Sequence, residues 1–385
     1  MIIIGRNIKN RSMLATIFKR PVGTGRPGSG RSSGLLASHA RRLFPVLGLA
    51  FMAASTTLAA QPAVRQLEIA DYRAYLAEDH PVRQGLRKFA ELVQAASAGS
   101  LQVKVRADAL PGSPAQQMAA LRAGAAGAPA LMLVATTGLA TDTQEFALLD
   151  LPFLVRDEQQ ADALLGGAFG QALLGRMAPS GLVGLAWWEN GFRQITTSTG
   201  PIRRAEDLRG LDMRVIGEPV FIDTFRAVGA NPVPLPFGEL HAALKSKRVD
   251  GQDNFYSQIL AGRLYEVQSS LSVTNHSYSP LVLVANGAAW RALSAEQQRV
   301  LREAAVEAGK MQRDMVRGEA RTARAELAKH GLMINEVAPS ELAKLQVLTA
   351  PLRDRYFSRY GDDLRQLYQR EQGGARENRP ASPAP

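Results

Sequence analysis

Apolar and polar positions follow two different rhythms over the first regularly patterned part of the chain. Apolar residues alternate with polar ones, or run continuously, in 67–76, 101–105 and 130–134, as they do in β-strands. In 80–96 they recur every three or four positions, which is typical of a buried helix face, and 114–125 is also predicted to be helical. Strands that alternate with helices predict an α/β domain with right-handed crossovers.

The same rhythm begins again after Trp188. It predicts further strands at 211–216, 232–235 and 281–285, and helices between them at 219–228 and 238–246. This restart indicates a second α/β unit, which is a reasonable division for a chain of this length.

One predicted helix is much longer than the others. Ser294 begins it, and Gln297 follows three residues later, which is a capping-box pattern. A helix over 295–330 would be about 50 Å long at a rise of about 1.5 Å per residue. Such a helix exceeds one small domain, so we expect it to lie across both. Gly309 and Gly318 allow it to bend.

The charge distribution argues against a nucleic-acid binder. The net charge of +11 comes from 46 basic and 35 acidic residues. Residues 1–60, however, contain nine of the basic residues and no acidic one, which leaves 37 against 35 in the rest of the chain. The basic character therefore belongs to the first 60 residues, and we predict no nucleic-acid partner.

The first 60 residues have the parts of a secretory signal peptide. A basic segment ends at Arg42, an apolar run covers 43–51, and small residues surround Ala60. We predict cleavage near Ala60, with Ala59 or Ala63 as other positions, and export to the periplasm. The alternative is an uncleaved membrane anchor, but the apolar run is short for a spanning helix.

The chain contains no cysteine. An exported protein without disulfides is held together by its core alone, for which about 325 residues suffice. A lipid anchor on an N-terminal cysteine is also excluded. These features predict a freely diffusing periplasmic protein. We expect a monomer and leave a dimer open.

Residues 187–275 hold a series of polar groups at the ends of short apolar runs. They include Asn190-Gly-Phe-Arg193, Gly210-Leu-Asp-Met-Arg214-Val, and Val249-Asp-Gly-Gln-Asp-Asn254. Two arginines, an aromatic ring and an amide are suited to holding a small carboxylate, and nothing among them is suited to breaking it. The segment therefore predicts binding and not catalysis.

The order and spacing of these motifs resemble the extracytoplasmic solute-binding proteins of TRAP transporters (tripartite ATP-independent periplasmic transporters), the DctP-type family. The resemblance implies an α/β, two-domain periplasmic-binding-protein-like fold with a central ligand cleft and a long helix spanning both domains. We place domain I at 61–190 plus about 280–318 and domain II at 191–279 plus about 319–370. A disordered tail is predicted at 371–385.

The resemblance also implies a function and a partner. The protein would capture a small organic acid, either a carboxylate or a sugar acid, and deliver it to the membrane subunits of a TRAP permease. One alternative is a periplasmic protein that presents the acid to a sensor kinase or chemoreceptor. The other is an enzyme of the same shape, although no catalytic constellation supports it. We predict no cofactor and no metal site.

Two arginines are the first candidates for the ligand site. Arg214 lies in a strand-like apolar segment, where a buried guanidinium needs an anion, and its planar fork matches a carboxylate. The alternative is an internal salt bridge to Glu218 or Asp250. Arg193, taken alone, would usually be a solvated surface charge. The resemblance implies that both arginines face the ligand.

Three further candidates lie in the second predicted unit. The resemblance places Asn254 on the ligand and Phe237 over it, although Asn254 could belong to a turn and Phe237 to the core. The usual Asp-Gly-Gln-Glu-Asn of the family is Asp-Gly-Gln-Asp-Asn here, which we interpret as a mild change. Glu218 could address a ligand hydroxyl or favour a helix dipole.

The first predicted unit departs from relatives that place a carboxylate after the strand at 130–134. The sequence there is Ala135-Thr136-Thr137-Gly138, which offers neutral hydrogen bonds and no charge. We therefore expect Thr136 to contact a neutral ligand group, and no charged group to hold an ammonium or a polyol. This favours a smaller organic acid or a sugar acid over sialic acid.

Overall fold

The computed structural model describes residues 64–73 and 75–377, with side chains up to residue 372. The predicted signal peptide and its cleavage site near Ala60 lie outside the described residues. None of the described helices is both long and apolar enough to cross a bilayer.

Strands and helices alternate through most of the chain. The nine strands of the described residues are β1 Arg65–Asp71, β2 Leu101–Val105, β3 Leu131–Ala135, β4 Leu182–Thr197, β5 Asp212–Val215, β6 Asn231–Pro234, β7 Gly251–Asn254, β8 Ser270–Asn286 and β9 Met333–Glu336. The helices up to β7 are α1 Pro81–Ala96, α2 Pro114–Ala123, α3 Thr136–Leu139, α4 Glu158–Gly166, α5 Ala168–Gly175, α6 Pro219–Ala227 and α7 Phe237–Lys245. Those after it are α8 Tyr256–Ala261, α9 Gly287–Arg291, α10 Ala295–Lys329, α11 Pro339–Tyr360 and α12 Asp362–Glu377. Short 3-10 turns cover Gln144–Asp150, Ala178–Ser180, Ala205–Leu208 and Leu264–Glu266.

All nine strands form one mixed sheet in the order β2-β1-β3-β8-β4-β7-β5-β6, with β9 beside β8. The two longest strands, β4 and β8, pair antiparallel along their length. β3 joins the end of β8 at Leu281–Ala285, whereas β9 joins the other end at Ser270–Val273. Likewise the pairing of β4 with β7 is confined to the last four residues of β4, Gln194–Thr197. Two lobes thus share β4 and β8. Lobe I contains β1–β3 with α1–α3, and lobe II contains β5–β7 and β9 with α6–α8.

The long helix α10 connects the two lobes, as the sequence predicts. It has 35 residues and begins with the predicted capping box at Ser294. It packs on α1 of lobe I, on the shared strand β4 and on α8 of lobe II. The Gln312 amide also donates to the Glu189 carbonyl oxygen at 2.7 Å and accepts from its N–H at 3.0 Å. The helix is therefore fixed to the crossing strand between the lobes.

The C-terminal segment differs from the sequence-based expectation. α12 continues through Glu377, so the prediction of a disordered tail is wrong for residues 371–377, and residues 378–385 lie outside the description. Its Tyr368 hydroxyl donates to the Leu154 carbonyl oxygen at 3.0 Å, and the helix packs on α4 and α5. These contacts hold α12 against α4 and α5. The first strand also ends earlier than predicted, at Asp71.

Candidate functional site

A cavity of about 650 Å³ lies between the two lobes. Its wall is formed by residues that follow β1 and β3 in lobe I, by part of the shared strand β4, and by the ends of β5–β7 in lobe II. The six side chains that the sequence predicts for a binding site all line it: Arg193, Arg214, Phe237, Asn254, Glu218 and Thr136. The fold thus brings these distant positions into one site.

Arg214 is a buried arginine without an acidic partner. It is only 3% exposed, and its Nε donates to the Leu235 carbonyl oxygen at 2.9 Å. It forms no salt bridge with any described residue, so the alternative pairing with Glu218 or Asp250 is not found. Burial lowers the pKa of Arg214 to about 10, although the nearby Asp253 carboxylate opposes this shift. A guanidinium held in this way can meet a carboxylate with two parallel hydrogen bonds.

Arg193 is also buried, but it has a counter-ion. It is 2% exposed, so the alternative of a solvated surface charge is wrong. Its Nε and Nη2 donate to the side chain and the carbonyl oxygen of Asp253. The guanidinium carbon lies 5.2 Å and 5.1 Å from the ring centroids of Phe221 and Phe255. This leaves the Nη1 edge of Arg193 without a protein acceptor among the described residues.

Asp253 holds Arg193 in place. Burial tends to raise the pKa of Asp253, but the charge of Arg193 and a hydrogen bond from His276 hold it well below its usual range. The His276 Nε2 lies 3.3 Å from Asp253 Oδ2, and its Nδ1 lies 2.8 Å from Thr274 Oγ1. The aspartate is therefore the fixed counter-ion of Arg193, a role that the sequence does not reveal.

Strand order explains why three of the predicted groups converge. β7 lies between β4 and β5 in the sheet, so Arg193, Asn254 and Arg214 come from three neighbouring strands. Asn254 lies at the end of β7 and is 4% exposed, so the turn interpretation is wrong. Its Nδ2 donates to Gln252 Oε1 at 3.3 Å. Amide and guanidinium groups therefore share one wall of the cavity.

A third arginine, which the sequence analysis missed, belongs to lobe I. Arg73 follows β1 and is 5% exposed. Its Nε and Nη2 donate to the two carboxylate oxygens of Asp71 at 2.9 Å and 3.1 Å, and its Nη1 donates to Asn190 Oδ1 at 3.0 Å. Each of its three nitrogens thus has an acceptor within the protein, and Asp71 is its counter-ion, which distinguishes Arg73 from Arg214.

An unpredicted carboxyl group lies beside Thr136. Asp150 ends the turn Gln144–Asp150, lines the cavity and is 2% exposed. Thr136 Oγ1 donates to its Oδ1 at 2.9 Å, whereas the buried Oδ2 has no partner among the described residues. Burial raises the pKa of Asp150 to about 7. The expectation that lobe I offers no ionisable group here is therefore wrong.

Glu218 and Phe237 complete the wall in lobe II. Glu218 precedes α6, but its side chain makes no capping hydrogen bond, and burial raises its pKa. Phe237 begins α7, is half-buried and stacks on Tyr75, which follows β1 in lobe I. Tyr75 and Phe237 both line the cavity. Tyr75 is 51% exposed, so this pair lies at the edge of the cavity that faces solvent.

The described residues contain no group of three or more His, Asp or Glu side chains placed to hold a metal ion. The cavity instead combines a free guanidinium, an amide, hydroxyl and carboxyl groups, and aromatic rings. A few fixed polar groups in a largely preformed cleft are typical of a binding site for a small molecule.

Residues 73–359 match the sequence profile of bacterial extracellular solute-binding protein, family 7, DctP. The chain belongs to this family. The 2,3-diketo-L-gulonate-binding periplasmic protein YiaO of Escherichia coli is 36% identical over 60% of this chain and 69% of its own length. The C4-dicarboxylate-binding periplasmic protein DctP of Rhodobacter capsulatus is 28% identical over 82% of this chain and 95% of its own.

A solved structure shows the same fold. The sugar acid binding protein DctPAm of Advenella mimigardefordensis, in complex with galactonate, superposes with a TM-score of 0.72 at 31% identity and covers 81% of this chain and 99% of its own. The chain is thus a TRAP-type extracytoplasmic solute-binding protein with the two-domain periplasmic-binding fold. The family consists of binding proteins, so the alternative of an enzyme is set aside.

Proposed function

We propose that this DctP-family protein captures a small hydroxylated monocarboxylate, such as a sugar acid, in the periplasm. The observation that carries the proposal is the unpaired, buried guanidinium of Arg214 in a cavity of about 650 Å³. Two relatives, the diketogulonate-binding and galactonate-bound proteins, take ligands of this class. The cavity also has a volume in the range of roughly 300–1,000 Å³ that is usual for small-molecule sites.

The ligand carboxylate is assigned to the arginine wall. Arg214 donates two parallel hydrogen bonds to it, and the free edge of Arg193 supplies a further donor. Arg73 is excluded as the main anchor because Asp71 and Asn190 already accept from it. A charge-assisted hydrogen bond in a closed cleft contributes about 1.5–3 kcal/mol, so this wall alone accounts for much of a micromolar affinity.

The remaining predicted residues are assigned to the rest of the ligand. Asn254 can both donate to and accept from a hydroxyl group. Thr136 of lobe I and Glu218 of lobe II are assigned to hydroxyl groups of the ligand. Phe237 is assigned to its carbon chain. Because these residues come from both lobes, the ligand stabilises the closed arrangement through contacts that the open one lacks.

Export and delivery complete the proposal. Residues 1–60 direct the chain through the inner membrane and are removed near Ala60. The lobes, with the predicted boundaries near residues 190 and 280, open and close about the shared strands β4 and β8. The ligand-bound closed form then docks on the membrane subunits of a TRAP permease as a monomer, and releases its cargo there.

A thermal-shift screen of the chain from Gln61 onward tests the proposal. The probes are D-galactonate, 2,3-diketo-L-gulonate, succinate and neutral D-galactose. Binding to the native state alone raises the melting temperature by mass action. We expect the largest shifts from D-galactonate and 2,3-diketo-L-gulonate, a smaller one from succinate, and none from D-galactose.

The Arg214→Lys variant tests the anchor, because an ammonium group cannot reproduce the planar fork. We expect D-galactonate affinity to fall about 10- to 100-fold, which corresponds to the loss of one charge-assisted contact. Arg203→Lys, at an exposed arginine of the same lobe, is the matched control and should bind normally. Unchanged affinity in folded Arg214→Lys, or a shift from D-galactose alone, would overturn the proposed function.

A further inference from the structure

Asp150 is held rigidly at the cavity wall by the core beneath it. The preceding residues Phe146, Leu148 and Leu149 are all at most 1% exposed, which fixes the turn that ends at Asp150. The Ser277 hydroxyl also donates to the Asp150 carbonyl oxygen at 3.3 Å. The carboxyl group therefore has a defined position and is not a mobile surface acid.

One carboxyl oxygen of Asp150 lacks a partner. Oδ1 accepts from Thr136 Oγ1, but Oδ2 is buried and makes no hydrogen bond with a described residue. A buried polar atom without a partner costs about 1–3 kcal/mol. Because Asp150 lines the cavity, a ligand group that bonds to Oδ2 removes this cost.

Three charged side chains of the cavity have no ion pair among the described residues. Besides burial, the groups that shift the pKa of Arg214 are Asp253, Arg193 and Tyr75. Arg214 forms no ion pair with Asp150 or Glu218. Besides burial, the charges of Glu218 and Asp253 raise the pKa of Asp150, and that of Arg193 lowers it. Asp150 too has no salt bridge among the described residues. Among the described residues, Arg214 is thus a guanidinium without an ion pair, and Asp150 and Glu218 are two acidic side chains without one, although the charge of Arg193 acts on Asp150.

This arrangement suits a ligand with one carboxylate that Arg214 holds and a hydroxyl group that meets Asp150. A hydroxyl can donate to a carboxylate oxygen and can accept from a protonated acid, so it fits Asp150 in either state. A second carboxylate at the same place would be repelled by Asp150 and Glu218. Resting on the proposed function, we propose that Asp150 makes the cavity select acids with a distal hydroxyl group over the corresponding dicarboxylates.

The matched ligands for a test are D-galactonate and D-galactarate, which differ only in a hydroxymethyl or a carboxylate at the far end. Calorimetry at pH 8 should show that the wild-type protein binds D-galactonate at least about 10-fold more tightly, since one charge-assisted contact is replaced by repulsion. In Asp150→Asn the preference should fall about 10-fold, mainly because D-galactarate binds better once the charge is removed.

A second variant and a control keep the result interpretable. Thr136→Val removes the donor to Asp150 at nearly constant volume, and it should weaken D-galactonate binding and change the ratio of the two affinities. Arg214→Lys should weaken both acids and leave their ratio unchanged. A purely structural role of Asp150 would alter stability and not the ratio.

Three outcomes overturn the inference. If Asp150→Asn and Thr136→Val are folded and keep the wild-type ratio, Asp150 does not select the ligand, although the proposed function stands. If 6-aminohexanoate binds more tightly than 6-hydroxyhexanoate in the wild-type protein, the acidic side chains hold an ammonium group. If the wild-type protein binds none of these acids, the proposed function fails together with this inference.

Discussion

The ring of Tyr75 stacks on the ring of Phe237, with 5.6 Å between the centroids and 23° between the planes. The Tyr75 hydroxyl also donates to Gln258 Oε1 at 3.2 Å. Tyr75 follows β1 in lobe I, whereas Phe237 and Gln258 belong to α7 and α8 of lobe II. These contacts join the lobes beside the cavity, so the opening that we propose would have to break them.

We expect Tyr75→Ala to accelerate ligand release. An aromatic pair contributes about 0.5–1.5 kcal/mol beyond its buried area, which corresponds to a roughly 2- to 10-fold increase in the dissociation rate. Tyr75→Phe retains the stack and loses only the hydrogen bond to Gln258, so its effect should be smaller. Stopped-flow displacement of bound D-galactonate measures both rates.

The control for this prediction is another stacked aromatic residue. Tyr265 stacks on His330 with 4.2 Å between the centroids, and it does not line the cavity. Tyr265→Ala should therefore leave the dissociation rate unchanged. Equal rates for Tyr75→Ala and the wild-type protein would show that the stack does not contribute to closure.

The ion pair between Asp253 and Arg193 predicts a large effect on stability. Asp253→Asn leaves a buried guanidinium without its counter-ion, which typically costs about 3–5 kcal/mol. Urea unfolding measures this loss. Asp250→Asn is the matched control, since the Asp250 side chain only accepts from the Asp212 N–H at 2.9 Å and an amide oxygen can replace it. Comparable stabilities of the two variants would contradict the role of Asp253.

The sequence predicts the elements whose signals are local. The helix that begins after Ser294 has its predicted length because its cap and its apolar face are encoded in consecutive residues. Arg214 and Asn254 are recognisable because each ends a short, distinctive segment of the chain. Their convergence, however, depends on β7 lying between β4 and β5, which only the sheet order shows.

The missed features depend on contacts between distant residues. β4 and β8 have 16 and 17 residues, but buried polar side chains such as Glu189 and three register shifts interrupt their alternation. For this reason the apolar pattern of the sequence predicts only 281–285 of β8 and no part of β4. Asp150 lies 14 residues after Thr136, and only the tertiary fold brings the two side chains together at the cavity wall. Position 253, where the family usually has Glu, keeps a carboxylate here, and the sequence alone does not show that this carboxylate holds Arg193.

The raised pKa of Asp150 predicts a pH dependence of folding. Burial raises this pKa from about 3.8 to about 7; the Thr136 hydrogen bond and Arg193 oppose the shift, and Glu218 and Asp253 add to it. Between these values the folded state keeps a proton that the unfolded chain has lost. Stability therefore falls by about 1.4 kcal/mol per pH unit from this group as the pH rises, and the effect ends above pH ~7.

Asp150→Asn removes this titration. Urea unfolding at several values between pH 4.5 and 8.5 should show the variant gaining stability relative to the wild-type protein up to about pH 7, and no further gain above it. The Glu319 side chain, whose pKa burial also raises to about 7, contributes the same slope to both proteins. Parallel curves for the two proteins would mean that Asp150 is charged throughout this range.

Two glycines of α10 should respond oppositely to the same substitution. A Cβ at Gly309 would lie 2.8 Å from Trp188 Cδ1 and 3.0 Å from the Trp187 carbonyl oxygen, whereas at Gly318 the nearest atom is Arg321 Nη2 at 3.9 Å. Gly318→Ala should stabilise the protein by up to about 1 kcal/mol through helix propensity. Gly309→Ala should instead destabilise it by about 1–3 kcal/mol, because the helix must move away from β4. Thermal unfolding distinguishes the two, and stabilisation by both would show that α10 does not pack tightly on the crossing strand.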